Sequence, residues 1–308
     1  MKKSMNPHDH CDCHEHRHEE AADRYHEVLN RYPLHLHDDE VHTAVHTLLK
    51  RCMAENDTPE VYRSLLGMLD VTSLKITDTE EQILALVEQL NTFCNEHPEL
   101  PQPAALCVYP NFASLASQSL EPEQTAVACV AGGFPSAQMA VEAKIVEVSL
   151  ALNDGATEID TVLPVGLFLS ENYEEVSDQL GEMKAICNDK KLKVILETGV
   201  LQSASQIKKA ALVAMYSGAD FIKTSTGKLE PGATPEAAYV MCQAIHEYHK
   251  QTGRKVGFKA AGGLNSLQDA LTYYTIVKEL LGEEWLTPQL FRLGTSRLYR
   301  ELTTLLTR

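Results

Sequence analysis

The chain has 308 residues, 44% hydrophobic, 23% charged and 6% aromatic, which excludes a fibrous, collagen-like or wholly disordered protein. A formal net charge of −16 argues against nucleic acid or an anionic membrane surface as partner, since both require a basic face. No run approaches the roughly 18 apolar residues of a membrane span, and none follows Lys2 and Lys3, so a cytoplasmic location is expected.

Ten of the thirteen histidines fall between His8 and His46, which sets residues 1–55 apart from residues 56–308. Residues 6–18 are polar and offer little to bury. His8, His10, Cys11, Cys13, His14, His16 and His18 are donors of the kind zinc, copper or nickel accept. His42 and His46 form an i,i+4 pair. The spacing matches no zinc finger, so two readings stand: a solvated tail, or a segment that takes up adventitious metal. Two helical stripes follow: Ala22, Tyr25, Val28, Leu29 and Tyr32, then Val41, Val45, Leu48 and Leu49. They need a surface to pack on, the barrel that follows or a second subunit, and a mix of both is favoured. Cys52, Cys94, Cys107, Cys129, Cys187 and Cys242 have no framework spacing and read as reduced thiols.

A new unit opens at Thr58-Pro59-Glu60, a helix cap followed by proline and an acid in the first turn. From there short β-rich runs alternate with amphipathic stretches. The runs are LDVTSL (69–74), ALCVY (105–109), TAVACVAG (125–132), TEIDTVLP (157–164), KVILETG (193–199), DFIKTST (220–226), KVGFKAAG (255–262) and LFRLGTS (290–296). The helical stretches cover 79–94, 136–153, 171–189, 203–217, 235–251 and 266–281. Eight βα units in roughly 250 residues, with no GxGxxG turn, indicate a TIM (β/α)8 barrel of the α/β class carrying a helical, His-rich N-terminal extension.

Barrel enzymes place their chemistry at the carboxyl ends of the strands. Asp70, Asp160, Lys193, Lys223 and Lys259 interrupt the apolar runs of strands one, four, five, six and seven. A lysine in such a run either snorkels, or pairs with Asp160 or Glu197, or is functional. Two ammonium groups crowded in a low-dielectric pocket disfavour each other's charge, so one becomes a free amine able to form a Schiff base with a carbonyl. An ionised Asp160 beside the other lysine would move protons. Glycines after strands six, seven and eight, in Thr226-Gly227-Lys228, Ala261-Gly262-Gly263 and Gly294-Thr295-Ser296, let backbone N–H groups approach an anion. The loops after strands seven and eight are a frequent phosphate site in barrels.

The motifs LDVTSL, AALCVYP, EIDTVLPVG, KVILETG, DFIKTSTGK, VGFKAAGG and FRLGTS stand in the order found in the deoxyribose-phosphate aldolase family, which the chain resembles from about Leu66 to its last helix. The resemblance implies reversible aldol cleavage of 2-deoxy-D-ribose 5-phosphate to D-glyceraldehyde 3-phosphate and acetaldehyde, with no cofactor and no metal. By the same resemblance Lys223 is the Schiff-base lysine, Lys259 its perturbing neighbour and Asp160 the acid of the proton relay. Asp70 and Lys193 support them, and Cys107 lies near the aldehyde unless it is only a small core residue. Thr72, Thr226, Gly227, Lys228, Gly262, Gly263, Gly294 and Ser296 match the substrate- and phosphate-binding positions. A homo-oligomer, with a dimer favoured, is expected. Two features depart from the family. Arg297 stands where some relatives have a second serine, and Leu306-Thr307-Arg308 offers no counterpart to a C-terminal tyrosine that assists proton transfer. Two rival readings are another Schiff-base phosphosugar barrel, and a metal-binding or scaffold protein dominated by residues 1–55.

Overall fold

The computed structural model describes residue 25 and residues 27–307. Eight strands close into a parallel barrel in sequence order: β1 (Leu69–Thr72), β2 (Ala105–Val108), β3 (Ala126–Val130), β4 (Glu158–Val162), β5 (Lys191–Ile195), β6 (Phe221–Lys223), β7 (Gly257–Ala261) and β8 (Phe291–Thr295). The ring is sealed by pairing of β1 with β8, where Asp70 sits opposite Gly294. All eight runs read from the sequence form strands. Each strand ends earlier than its apolar run, because the last residues turn into the loops of the barrel mouth.

Around the ring lie α1 (Asp38–Cys52), α2 (Pro59–Gly67), α3 (Glu80–Glu96), α4 (Ala113–Ser119), α5 (Val141–Asn153), α6 (Val165–Leu169), α7 (Tyr173–Cys187), α8 (Ala204–Tyr216), α9 (Pro235–Thr252), α10 (Leu267–Leu281) and α11 (Leu298–Leu306). Local chemistry sets their starts. Thr58 caps α2 ahead of Pro59, accepting the Val61 N–H at 3.4 Å. Thr79 and Gln82 form a capping box at α3, and Ser266 with Asp269 forms another at α10. The stretch expected to be helical from 136 is helical only from Val141. Ala137 takes a left-handed φ of 55°, which no helix continues through.

Strand residues alternate between two environments, as the two-residue repeat requires. Leu106, Val127, Ile159, Val194, Ile222, Phe258 and Leu293 point outward into the main apolar core beneath the helices. Their neighbours point into the barrel, where they form the small apolar clusters around Cys107 and Val162 and the charged group described below.

The stripes of the N-terminal segment pack on the barrel itself. Val41, Val45 and Leu48 of α1 are buried in the main core, and α1 lies against α9 and α10. Asp38 Oδ1 accepts the Ala204 N–H at 2.8 Å, so the segment also completes the first turn of α8. Tyr25, Leu29 and Tyr32 of the first stripe are buried too, and Tyr32 Oη meets Tyr216 Oη at 2.8 Å. Ala22 and the histidines from His8 to His18 lie outside the described residues. No helix among the described residues is long and apolar enough to cross a membrane.

Candidate active site

Adjacent strands carry their charged residues at matching heights: Asp160 pairs in register with Lys193, and Lys223 with Lys259. Inward alternation then brings side chains from five strands together at the barrel centre. Asp160 accepts from three lysines: Lys193 Nζ at 2.8 Å on Oδ1, and Lys223 Nζ and Lys259 Nζ at 2.8 Å each on Oδ2. Lys259 also donates to Asp70 Oδ2. The side chains of Asp70, Asp160, Lys193 and Lys259 have no solvent exposure, and that of Lys223 has 3%.

Two further members were not singled out by the sequence reasoning. Glu158, two residues before Asp160 on β4, accepts from Lys193 Nζ at 2.7 Å. Arg292 of β8 clamps Asp70 Oδ1 with Nη1 at 2.6 Å and Glu158 Oε1 with Nη2 at 2.8 Å. Their signal was present: each is a charged residue with the inward parity of its strand, Glu158 relative to Asp160 and Arg292 relative to Gly294. Glu197, weighed as a partner for the lysines, instead holds the next loop. With φ of 54° it accepts Thr226 N–H at 3.1 Å and Thr226 Oγ1–H at 2.5 Å.

Burial opposes every charge in this group, and local partners decide which groups keep it. Burial alone would push the Asp160 carboxyl up, but Lys193, Lys223 and Lys259 together hold it well below the usual carboxylate range. Asp70 is held down in the same way, chiefly by Lys259 and Arg292. Burial would strip Lys193 of its proton, yet Asp160, Glu158 and Asp70 outweigh it and move the ammonium above its ordinary value. Lys259 is likewise raised by Asp160 and Asp70. Only Lys223 among the three lysines is lowered. Burial is the largest cause and the charge of Lys259 adds to it, while Asp160 resists. The crowding expected from sequence is thus present but second to desolvation.

Cys107 is fully buried with Leu74, Ala105, Ala128 and Val130, and burial pushes its thiol up, so it stays protonated. Above the charged group opens a cavity of about 230 Å³. Thr72, Thr226, Gly227, Lys228, Gly262, Gly263, Gly294 and Ser296 all line it, and so does Lys223. Asp70, Asp160, Lys193 and Lys259 do not reach it. The glycines have steric reasons to be there. A Cβ on Gly294 would come within 2.9 Å of the Ala261 Cβ and 3.2 Å of the Lys259 Cε. Gly262 has φ of +89° and would meet Gly232 Cα at 3.1 Å. Lys228 donates to the Leu74 carbonyl and lies 5.9 Å from the Tyr109 ring centroid, so its ammonium is held at the rim. Arg297 is exposed and does not line the cavity. A second cavity of about 260 Å³, between α1 and the starts of α8 and α9, holds none of these residues.

His42 is bound to Glu236 Oε1 at 2.8 Å, and among the described residues no cluster of three or more His, Cys, Asp or Glu could hold a metal.

Residues 67–277 match the DeoC/LacD family aldolase model. The deoxyribose-phosphate aldolase of Homo sapiens is 40% identical over 244 residues, covering 76% of this chain and 77% of that one. The Agrobacterium fabrum enzyme of the same name is 37% identical over 232 residues, covering 75% and 86%. Among solved structures, the tetrameric deoxyribose phosphate aldolase of Aeropyrum pernix superposes with a TM-score of 0.63 at 25% identity, over 83% of this chain and 98% of that chain.

Proposed function

Because the chain belongs to the DeoC/LacD family of aldolases, we propose that Lys223 is the amine through which it works and that the cavity above it holds the substrate phosphate. The reaction is reversible aldol cleavage of 2-deoxy-D-ribose 5-phosphate to D-glyceraldehyde 3-phosphate and acetaldehyde. One observation carries the assignment: of the buried charged cluster, Lys223 alone faces the cavity, and it alone of the cluster's three lysines is held below its ordinary basicity.

The steps follow from these positions. Uncharged Lys223 Nζ adds to C1 of the open-chain sugar, and loss of water gives a protonated imine. The imine draws the electron pair of the C2–C3 bond as the C3 hydroxyl gives up its proton, releasing D-glyceraldehyde 3-phosphate and leaving an enamine. A proton then returns to C2, and water hydrolyses the imine to free acetaldehyde and Lys223. Asp160 and Lys259, sharing a hydrogen bond and each next to Lys223 or its partner oxygen, serve as the proton relay. Asp70 and Lys193 hold Asp160 and Lys259 in place. The glycine loops present backbone N–H groups to the phosphate, and Lys228 adds charge at the rim.

The direct test is borohydride reduction in the presence of acetaldehyde or the deoxysugar phosphate. A stable mass increase on Lys223 is expected, and label on any other lysine sinks the assignment. A substrate panel tests the sugar: turnover of another sugar phosphate with none of deoxyribose phosphate would overturn the substrate.

The proposal extends to the whole assembly. Residues 1–55 are an appendage to the catalytic unit 56–308, the location is cytoplasmic, and the chain forms a homo-oligomer, with a dimer favoured. Val146 and Leu150, four residues apart on α5 and 57% and 56% exposed, support self-association. Light scattering that reports a monomer would remove that part. Adventitious metal at the histidine-rich start is tested by tight zinc binding that disappears on deletion of residues 1–24.

A further inference from the structure

Within the cluster at the barrel centre, the assigned lysines and aspartates leave two buried charges without a role, Glu158 and Arg292. Three carboxylates, Asp70, Glu158 and Asp160, face four bases, Lys193, Lys223, Lys259 and Arg292. The other elements add no compensating charge. From β2 comes the protonated Cys107, and β3 gives only Ala126, Ala128 and Val130. Lys191 of β5 reaches Glu158 Oε1 at 3.2 Å, but its side chain is 35% exposed and served by solvent. Phe221 of β6 lies 5.6 Å from the Arg292 guanidinium.

Arginine does not lose its proton in proteins, whereas a buried lysine readily does. Arg292 is held between Asp70 and Glu158, so it permanently consumes the equivalent of one carboxylate. Two negative charges then remain for three lysines. Lys193 touches all three carboxylates, Lys259 touches two, and Lys223 touches a single oxygen that it shares with Lys259. The amine with the poorest compensation is the one that opens to the cavity.

We propose that Arg292 is a positioning residue which, acting through Asp70 and Glu158, keeps the barrel interior one counter-charge short and so keeps Lys223 the uncharged amine of the cluster. The inference rests on Lys223 being the Schiff-base amine. Arg292 touches neither the cavity nor Lys223. Its effect is electrostatic and passes through the carboxylates it occupies.

The test compares pH profiles of kcat/KM for the wild type, Arg292→Met, Arg292→Lys, Glu158→Gln and the Arg292→Met/Glu158→Gln double variant. Removing the guanidinium frees a carboxylate for the lysines, so Lys223 keeps its proton. The acid limb of Arg292→Met should move up by about one unit or more, a roughly tenfold or greater loss at neutral pH that recovers as pH rises. The double variant removes one charge of each sign and restores the shortfall, so its limb should return to the wild-type position, whereas that of Arg292→Lys, whose amine can give up its proton, should fall between Arg292→Met and the wild type. Glu158→Gln, which deepens the shortfall, should move the limb down. A loss in Arg292→Met of the same factor at every pH would overturn the proposal, and so would a double variant no nearer the wild type. Should Arg292→Met fail to fold, Glu158→Gln and the double variant decide the matter: they differ only in the guanidinium, so the limb of Glu158→Gln should lie below that of the double variant, and coincident limbs would overturn the proposal. Borohydride trapping of the wild type at Lys223 separates the layers: trapping without the shifts sinks only the role of Arg292, whereas no trapping at Lys223 sinks the Schiff-base assignment and this inference with it.

Discussion

The sealed interior of the barrel and the cavity at its mouth do different work with different materials. Inside, side chains from six strands are shut away from water, and what matters is which groups carry charge. At the mouth, glycine loops set the shape, and Lys75 and Lys228 join hydroxyl and amide side chains in the lining. Lys223 belongs to both regions. Substitutions inside should therefore act through protonation and appear in the pH dependence of kcat/KM, whereas substitutions at the mouth should act through grip on the phosphate and raise KM at every pH.

Four substitutions sharpen or break that division, in order of expected size. Lys223→Leu should reduce turnover by at least about a thousandfold, through loss of the covalent step, while thermal unfolding shows the fold intact. Residual activity near wild type would end the covalent reading. Lys259→Leu should lower activity near pH 7 by roughly tenfold to a hundredfold. The sign follows from charge: removing a neighbouring cation lets Lys223 hold its proton to higher pH, so it is charged near neutrality, and activity should return as pH rises. A loss independent of pH would place Lys259 in the proton relay only. Lys228→Gln should raise KM for the phosphosugar about tenfold with kcat little changed, the effect of one charge-assisted contact. Unphosphorylated 2-deoxyribose should be processed equally by both enzymes, and a matching loss there would take Lys228 away from the phosphate. Val45→Ala on α1 lies outside both regions and should cost about 1–2 kcal/mol of stability through a small cavity, leaving steady-state kinetics at 25 °C unaltered.

Much of the molecule was legible in its residues. The eight strands stood out as short apolar runs, and Thr58, Thr79 and Ser266 marked real helix starts. Every residue proposed for the phosphate lines one cavity. Short helices were not legible: α4, ASLASQS, carries no amphipathic stripe, and α6 has only five residues. Glu158 and Arg292 carry no local motif of their own, and only strand parity with Asp160 and Gly294 marks them as facing inward. The cause of the Lys223 shift could not be read from the chain, because the depth of burial depends on ring closure and not on any local motif.

That closure has a consequence for how the chain can be cut and rejoined. Asp70 comes from the first strand, and its partners Lys259 and Arg292 come from the last two, so the cluster exists only once the two ends of the ring have met. A fragment ending before β7 could fold many of its helices and still possess no working centre. A circular permutant opened in a surface loop would keep every contact and should stay active, while two half-barrels should regain activity only on reassociation.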